Sequence, residues 1–272
     1  MQRLLLALLL VAPAALSAQD NPNYDPDYDG DGCYSVADIL GLLPLFGSCA
    51  PFSCGDSLLL DNYWYVTTLV GDQCWFAENL RTTVYANGDL IPAGLTDGEW
   101  TSTTSGASAV YGEGSVDCYQ VPEDNDACDE AWSLEAFGRL YNWYAVDDAR
   151  SLCPPDWHVP TDDEWTELEN YVSDQCLDGD GAMVLKSTSG WAWSGSGNGT
   201  DELGFSALPG GFRDGGTNYY GFWNVHYEGY WWSSTQSGGS AWRRILFTGT
   251  SIERSLRGKR WGYSVRCLKD VE

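Results

Sequence analysis

The chain has 272 residues, enough for one medium domain with an appendage and for a real buried core. Asp and Glu number 39 against 14 Lys and Arg, a net charge of −25, which argues against nucleic acid and anionic membranes as partners and suits cations such as calcium. The 14 Trp, 16 Tyr and 31 Gly exclude the composition of a helical bundle and fit a loop-rich fold stabilised by large rings.

Residues 1–18, MQRLLLALLLVAPAALSA, read as a secretory signal: one arginine, a run of leucines, then small residues near Ser17 and Ala18. The apolar run is too short to span a bilayer comfortably and no second one follows, so an exported chain with no membrane insertion is expected. Nine cysteines in an exported chain suggest disulfides, and the odd number leaves at least one free or paired between chains.

Residues 19–50 hold a candidate metal loop. Asp27, Asp29 and Asp31 stand at positions 1, 3 and 5, and Gly32 at position 6, where the chain turns sharply. Cys33 would offer its backbone carbonyl at position 7, Ser35 stands at position 9, and Asp38 closes the loop at position 12. Hard oxygen ligands at this spacing predict one calcium ion. Ile39, Leu40, Leu42, Leu43 and Phe46 then form the apolar face of a short helix that Pro44 ends or kinks. This loop-helix unit resembles a single dockerin repeat; a dockerin carries two, so docking onto a partner scaffold is the second functional reading. Residues 51–60 read as a linker, and Cys33, Cys49 and Cys54 are expected to trade partners among themselves in an order the sequence does not assign.

The domain over 61–272 opens with YWYVTTLVGDQCWFAENL, two predicted strands joined at Gly71-Asp72. Residues 87–117, rich in Gly, Ser and Thr, read as an inserted surface loop. Cys118 and Cys128 flank an acidic stretch and are expected to pair locally. In GRLYNWYAVDDAR the spacing of Leu140, Trp143, Tyr144 and Val146 predicts a helix. A second helix starts at Thr161, whose capping box with Glu164 precedes an apolar face of Trp165, Leu168 and Val172. Residues 187–223 read as loop, and GYWWSST, AWRRILFT and GYSVRCLKD as short antiparallel strands, with at least one of Trp231 and Trp232 in the core.

From about Trp64 to Asp270 the chain resembles the Fibrobacter succinogenes major paralogous domain. The segments that carry the resemblance are GDQCWFAENL, GRLYNWYA, CPPDWHVPTDDEW, LKSTSGW, GNGTDELGFSALPGGFR, GYWWSST and GYSVRCLKD, in that order. The family is similar to the C-type lectin-like fold and its formylglycine-generating-enzyme branch. The resemblance implies an α+β domain of two helices on irregular antiparallel strands with long loops. It implies no settled activity. Cys153 and Cys267 lie in these segments, and a bridge between them would tie the helical region to the last strand. The Glu-Pro-Asn or Gln-Pro-Asp motif with Trp-Asn-Asp, by which C-type lectins hold sugar through calcium, is missing: Val225 follows Trp223-Asn224. No cysteine lies between Cys176 and Cys267, so the paired-cysteine chemistry of the enzyme branch is not expected.

Candidate ligand residues come from the late loops. The rings of Trp191, Trp193, Tyr219, Tyr220, Trp223 and Tyr227 can stack on sugar faces, and Arg213 or Asn218 can bond hydroxyls. Filling a loop-rich core is the competing role for the same rings. His226 could touch a ligand; His158 reads as a satisfied buried histidine before the helix rather than a base. Asp162, Asp163 and Glu164 suit a helix N-terminus, whereas Asp201 and Glu202 fit a turn or an ion site equally. The sequence thus predicts a non-catalytic binding module for a polysaccharide or a surface protein.

Overall fold

The computed structural model describes residues 52–114, 127–175, 181–191, 197–216, 221–247 and 249–270. The chain divides into two units, Met1–Phe52 and Ser53–Glu272, and the second is described here. The predicted calcium loop, Asp27 to Asp38, lies outside the described residues.

The domain is α+β and rich in sheet. Its first sheet has the order β1-β2-β3-β12-β6, from β1 (Ser57–Leu60), β2 (Tyr63–Val70), β3 (Gln73–Phe76), β6 (Trp157–His158) and β12 (Leu268–Lys269). The hairpin expected at Gly71-Asp72 joins β2 to β3, with Val70 opposite Gln73. The last strand closes the sheet between β3 and β6, so the two ends of the unit contribute to one sheet, with β1 at its far edge. Two disulfides fasten this sheet. Cys153 joins Cys267 as expected, whereas Cys54 joins Cys74 across the β1–β3 sheet rather than Cys33 or Cys49. Cys128 is disulfide-bonded, and position 118 lies outside the described residues.

The second sheet has the order β11-β10-β9-β7-β8, from β7 (Gly210–Arg213), β8 (Phe222–Val225), β9 (Gly229–Ser237), β10 (Ser240–Leu246) and β11 (Ile252–Gly258). β7 and β8 fall where loop was expected; glycines mask the alternation that marks a strand. Gly211 is required: its φ is +63°, and a Cβ there would stand 2.3 Å from the Trp223 carbonyl oxygen.

Of the expected surface loop 87–117, residues 87–114 are described, and they are not all loop. They contain helix α1 (Asp97–Ser102), capped by Thr96 and Glu99, and strand β4 (Ser108–Val110), and they bury Ile91, Trp100 and Ala107. Helix α2 (Glu130–Phe137) begins at the N-cap Asp129 and ends at Gly138, whose φ of +74° lets its N–H reach Leu134. The helix expected around Leu140 starts late. Arg139–Tyr141 is strand β5, paired with β4, and only Trp143–Val146 (α3) is helical, capped by Asn142. Pairing with a neighbouring strand overrides the local period here.

The long helix α4 (Asp162–Gln175) forms as expected. Thr161 and Glu164 bond reciprocally, and Trp165, Leu168 and Val172 are buried. They pack with Trp75, Phe205, Trp231 and α5 (Gly181–Leu185) in one apolar cluster. A second cluster surrounds Trp100, Tyr111, Phe137 and Phe222. Both Trp231 and Trp232 are fully buried.

Candidate functional site

Strands β7 and β8 set the site. Phe212 stands opposite Trp223, and Arg213 opposite Phe222. Residues opposite one another share a face and neighbours alternate, so the pair Arg213/Phe222 lies on one side and Phe212/Trp223 on the other.

On the inner side Phe222 packs on Tyr111, their centroids 5.2 Å apart. The Arg213 guanidinium lies over Trp100 at 4.4 Å and over Phe222 at 5.1 Å. Its Nη2 donates to the Leu95 carbonyl at 2.6 Å and, more weakly, to Asp97 Oδ1 at 3.4 Å. Nε and Nη1 are buried without an acceptor among the described residues. Burial pushes the Arg213 pKa down, and the charges of Asp97 and Glu113 act against that. The residue floors a recess of about 310 Å³ lined also by Leu95, Thr96, Asp97, Glu113 and Phe222. A buried donor without a partner costs about 1–3 kcal/mol. An oxygen-rich group entering the recess could accept from Arg213 and donate hydroxyls to Asp97 and Glu113.

On the outer side Trp223 is 37% exposed and Tyr227 is half-buried. Phe212 contacts Trp261 at 5.0 Å and Tyr230 at 5.2 Å. Trp261 carries no distinguishing spacing and was not among the predicted rings; the basic run around it is the signal that could have marked it.

Trp191 does not belong to this surface. It is 5% exposed, its Nε1 donates to Ser187 Oγ and to the Ala207 carbonyl, and it sits in the cluster with Trp75 and Trp165. A ring held on all sides offers no face to a ligand. Trp193, Asn218, Tyr219 and Tyr220 lie outside the described residues. His226 is also interior: Nδ1–H donates to the Gly190 carbonyl, and the ring packs between Trp132 and Phe137.

His158 is satisfied by two carboxylates, with Nδ1 on Asp270 and Nε2 on Glu164. The bond to Glu164 outweighs burial and, with Asp270, raises the His158 pKa. Burial alone would raise Glu164, but the bonds from His158 and Thr161 outweigh it and bring it to about 2. Asp162 binds Arg244 and Arg254, and Asp163 is exposed. Asp201 closes a turn by accepting from the backbone N–H and the hydroxyl of Ser206, and Glu202 is exposed. Among the described residues no group of three or more His, Cys, Asp or Glu could hold a metal ion.

Fold and site together define a sheet-rich, disulfide-tied α+β domain with an arginine-floored recess beside an exposed aromatic face. The chain belongs to the family of the Fibrobacter succinogenes major domain, which it matches over residues 69–269. No curated protein and no solved structure matches it.

Proposed function

We propose that the chain is an exported, non-catalytic binding module that takes a polysaccharide on the β7–β8 face of a C-type lectin-like domain. The observation that carries this reading is the buried Arg213, whose Nε and Nη1 have no acceptor among the described residues, at the floor of the recess. Sugar hydroxyls both accept and donate, so one sugar residue can satisfy the guanidinium and the two carboxylates together. The volume is at the lower end for ligand sites, which suits one unit of a polymer. Trp223, 37% exposed on the opposite side of the strand pair, marks a second contact for a polymer, separate from the recess. The joining of the unit's first three strands and its last strand in one sheet, with α4 packed against it, supports the lectin-like reading.

The test is retention of the mature chain on immobilised cell-wall polysaccharides, with calcium and with chelator. Retention is expected to survive the chelator and to fall about tenfold or more in Trp223→Ala, as for a ring at the centre of an interface. Equal retention by Trp223→Ala and by Arg213→Met, both still folded, would remove the reading.

Calcium is proposed as a separate, structural cofactor of the Asp27–Asp38 loop. Calorimetric titration of the full chain is expected to give one site, lost in Asp29→Ala.

A further inference from the structure

Residues 240–269 contain eight of the 14 Lys and Arg and a single acid, Glu253, a local charge of +7 in a chain of −25. The fold sorts these cations. Arg244 and Arg254 are neutralised by Asp162, and Arg266 is interior. Four others, Arg243, Arg257, Lys259 and Arg260, form no ion pair among the described residues.

Three of these four lie over aromatic rings. Arg243 on β10 bonds the Tyr263 hydroxyl and lies over that ring at 5.0 Å. Arg257 on β11 is exposed, lies over Trp261 at 3.9 Å, and its charge also acts on Tyr263. Trp261 in turn meets Phe212. Lys259 lies over Trp143 at 4.2 Å and bonds Gln236. Arg260 donates Nε–H to the Thr103 carbonyl at 3.2 Å, which leaves its terminal nitrogens without a protein acceptor among the described hydrogen bonds. A guanidinium laid flat on a ring keeps its N–H edge for an oxygen pair, and that fork matches a carboxylate. Rings and cations alternate over this face.

We propose that this face binds an acidic polysaccharide, with uronate carboxylates accepting from Arg257, Lys259 and Arg260 and sugar faces lying on Trp261 and Phe212. The proposal rests on the polysaccharide reading above and names the class of polymer. Charge complementarity argues for it: the segment is basic while the rest of the chain is strongly acidic. Duplex nucleic acid, with a charge every ~1.7 Å of its axis, would meet that acidic remainder as well. A sparsely charged, flexible polysaccharide can engage the basic face alone.

The full chain is assayed by affinity electrophoresis against polygalacturonate, a neutral β-glucan and duplex DNA, all in chelator so that calcium cannot bridge the Asp27–Asp38 loop to the polymer. The expected result is retardation by polygalacturonate that weakens as salt rises from about 0.1 to about 1 M, where the screening length falls from about 10 to about 3 Å. Replacing Arg257, Lys259 and Arg260 together by Gln is expected to weaken it about tenfold or more. Should the triple variant not fold, Arg257→Gln alone, at an exposed site, replaces it. Retardation by the neutral glucan only would overturn this proposal and leave the binding-module reading standing. No retardation by either glycan would overturn both. Retardation by DNA only, or polygalacturonate binding unchanged in the folded variants, would overturn the assignment of this face.

Discussion

Arg266 shows what a single interior charge does in this fold. It is fully buried and faces oxygens rather than a carboxylate: it bonds the carbonyls of Phe76, Phe205 and Ser206 and Asn79 Oδ1. One planar fork thus ties β3, the 205–206 turn and the segment before β12. Arg266→Met would leave several buried acceptors unpaired, and an expected loss of about 3 kcal/mol or more should be visible in urea unfolding. Two tryptophans separate packing from binding in the same way. Trp191→Ala should cost about 3–5 kcal/mol as a core truncation. Trp223→Ala, at a ring 37% exposed, should cost less stability than the Trp191 truncation and act on ligand retention.

At the scale of elements, α4 is held at its start from two directions. Its capping residue Glu164 reaches His158 on β6, and His158 reaches Asp270 just past β12. The raised His158 pKa stabilises the fold fully below the unfolded value of about 6.5 and ceases to do so as pH rises through the folded value. Glu164, at about 2, stabilises above its unfolded value and ceases to do so as pH falls toward 2. Both contributions are present between about pH 4.5 and 6.5. Melting temperatures across pH should therefore hold in that window and fall on both sides, and His158→Gln should flatten the alkaline side. The first residue of α4 makes a second anchor. Asp162 lies between Arg244, which is fully buried and also bonds Glu169, and Arg254, whose side chain is 43% exposed. Asp162→Asn should cost about 3 kcal/mol, because it strips a buried guanidinium of a counter-ion. Arg254→Ala should cost under about 1 kcal/mol. Thermal unfolding of the two variants distinguishes them.

At the scale of the whole molecule, the Cys153–Cys267 bridge closes a loop of 114 residues between the β6 region and the last strand. A loop of that length constrains the unfolded chain by about 4–5 kcal/mol in the chain-entropy account. The double change Cys153→Ala, Cys267→Ala should lower stability by about 2–5 kcal/mol in denaturant unfolding. Charge is divided at this scale too: the basic 240–269 segment lies on β10, β11 and the closing segment, and the acids occupy the remainder of the chain.

Local signals in the sequence determined the β2–β3 hairpin, helix α4 with its capping box and buried face, strands β9 and β10, and the family. Each rests on neighbours within one turn or one pleat, so short-range spacing suffices to read it. The Cys153–Cys267 pair was read from the family resemblance, since the two residues are far apart in the chain. Other features were decided by tertiary contact alone. Arg139–Tyr141 pairs as a strand although its period is helical, because β4 offers an edge. Residues 97–110 lose the surface character expected of them because Trp100 enters the core beneath Arg213. Trp191 and Trp223 look alike in the sequence, and only the packing of distant segments sends one ring inward and leaves the other at the surface. The recess has the same origin: Leu95, Asp97, Glu113 and Arg213 are separated by up to 118 residues and meet because β7 runs beside the segment that carries α1. No spacing rule connects residues that become neighbours only when sheets close.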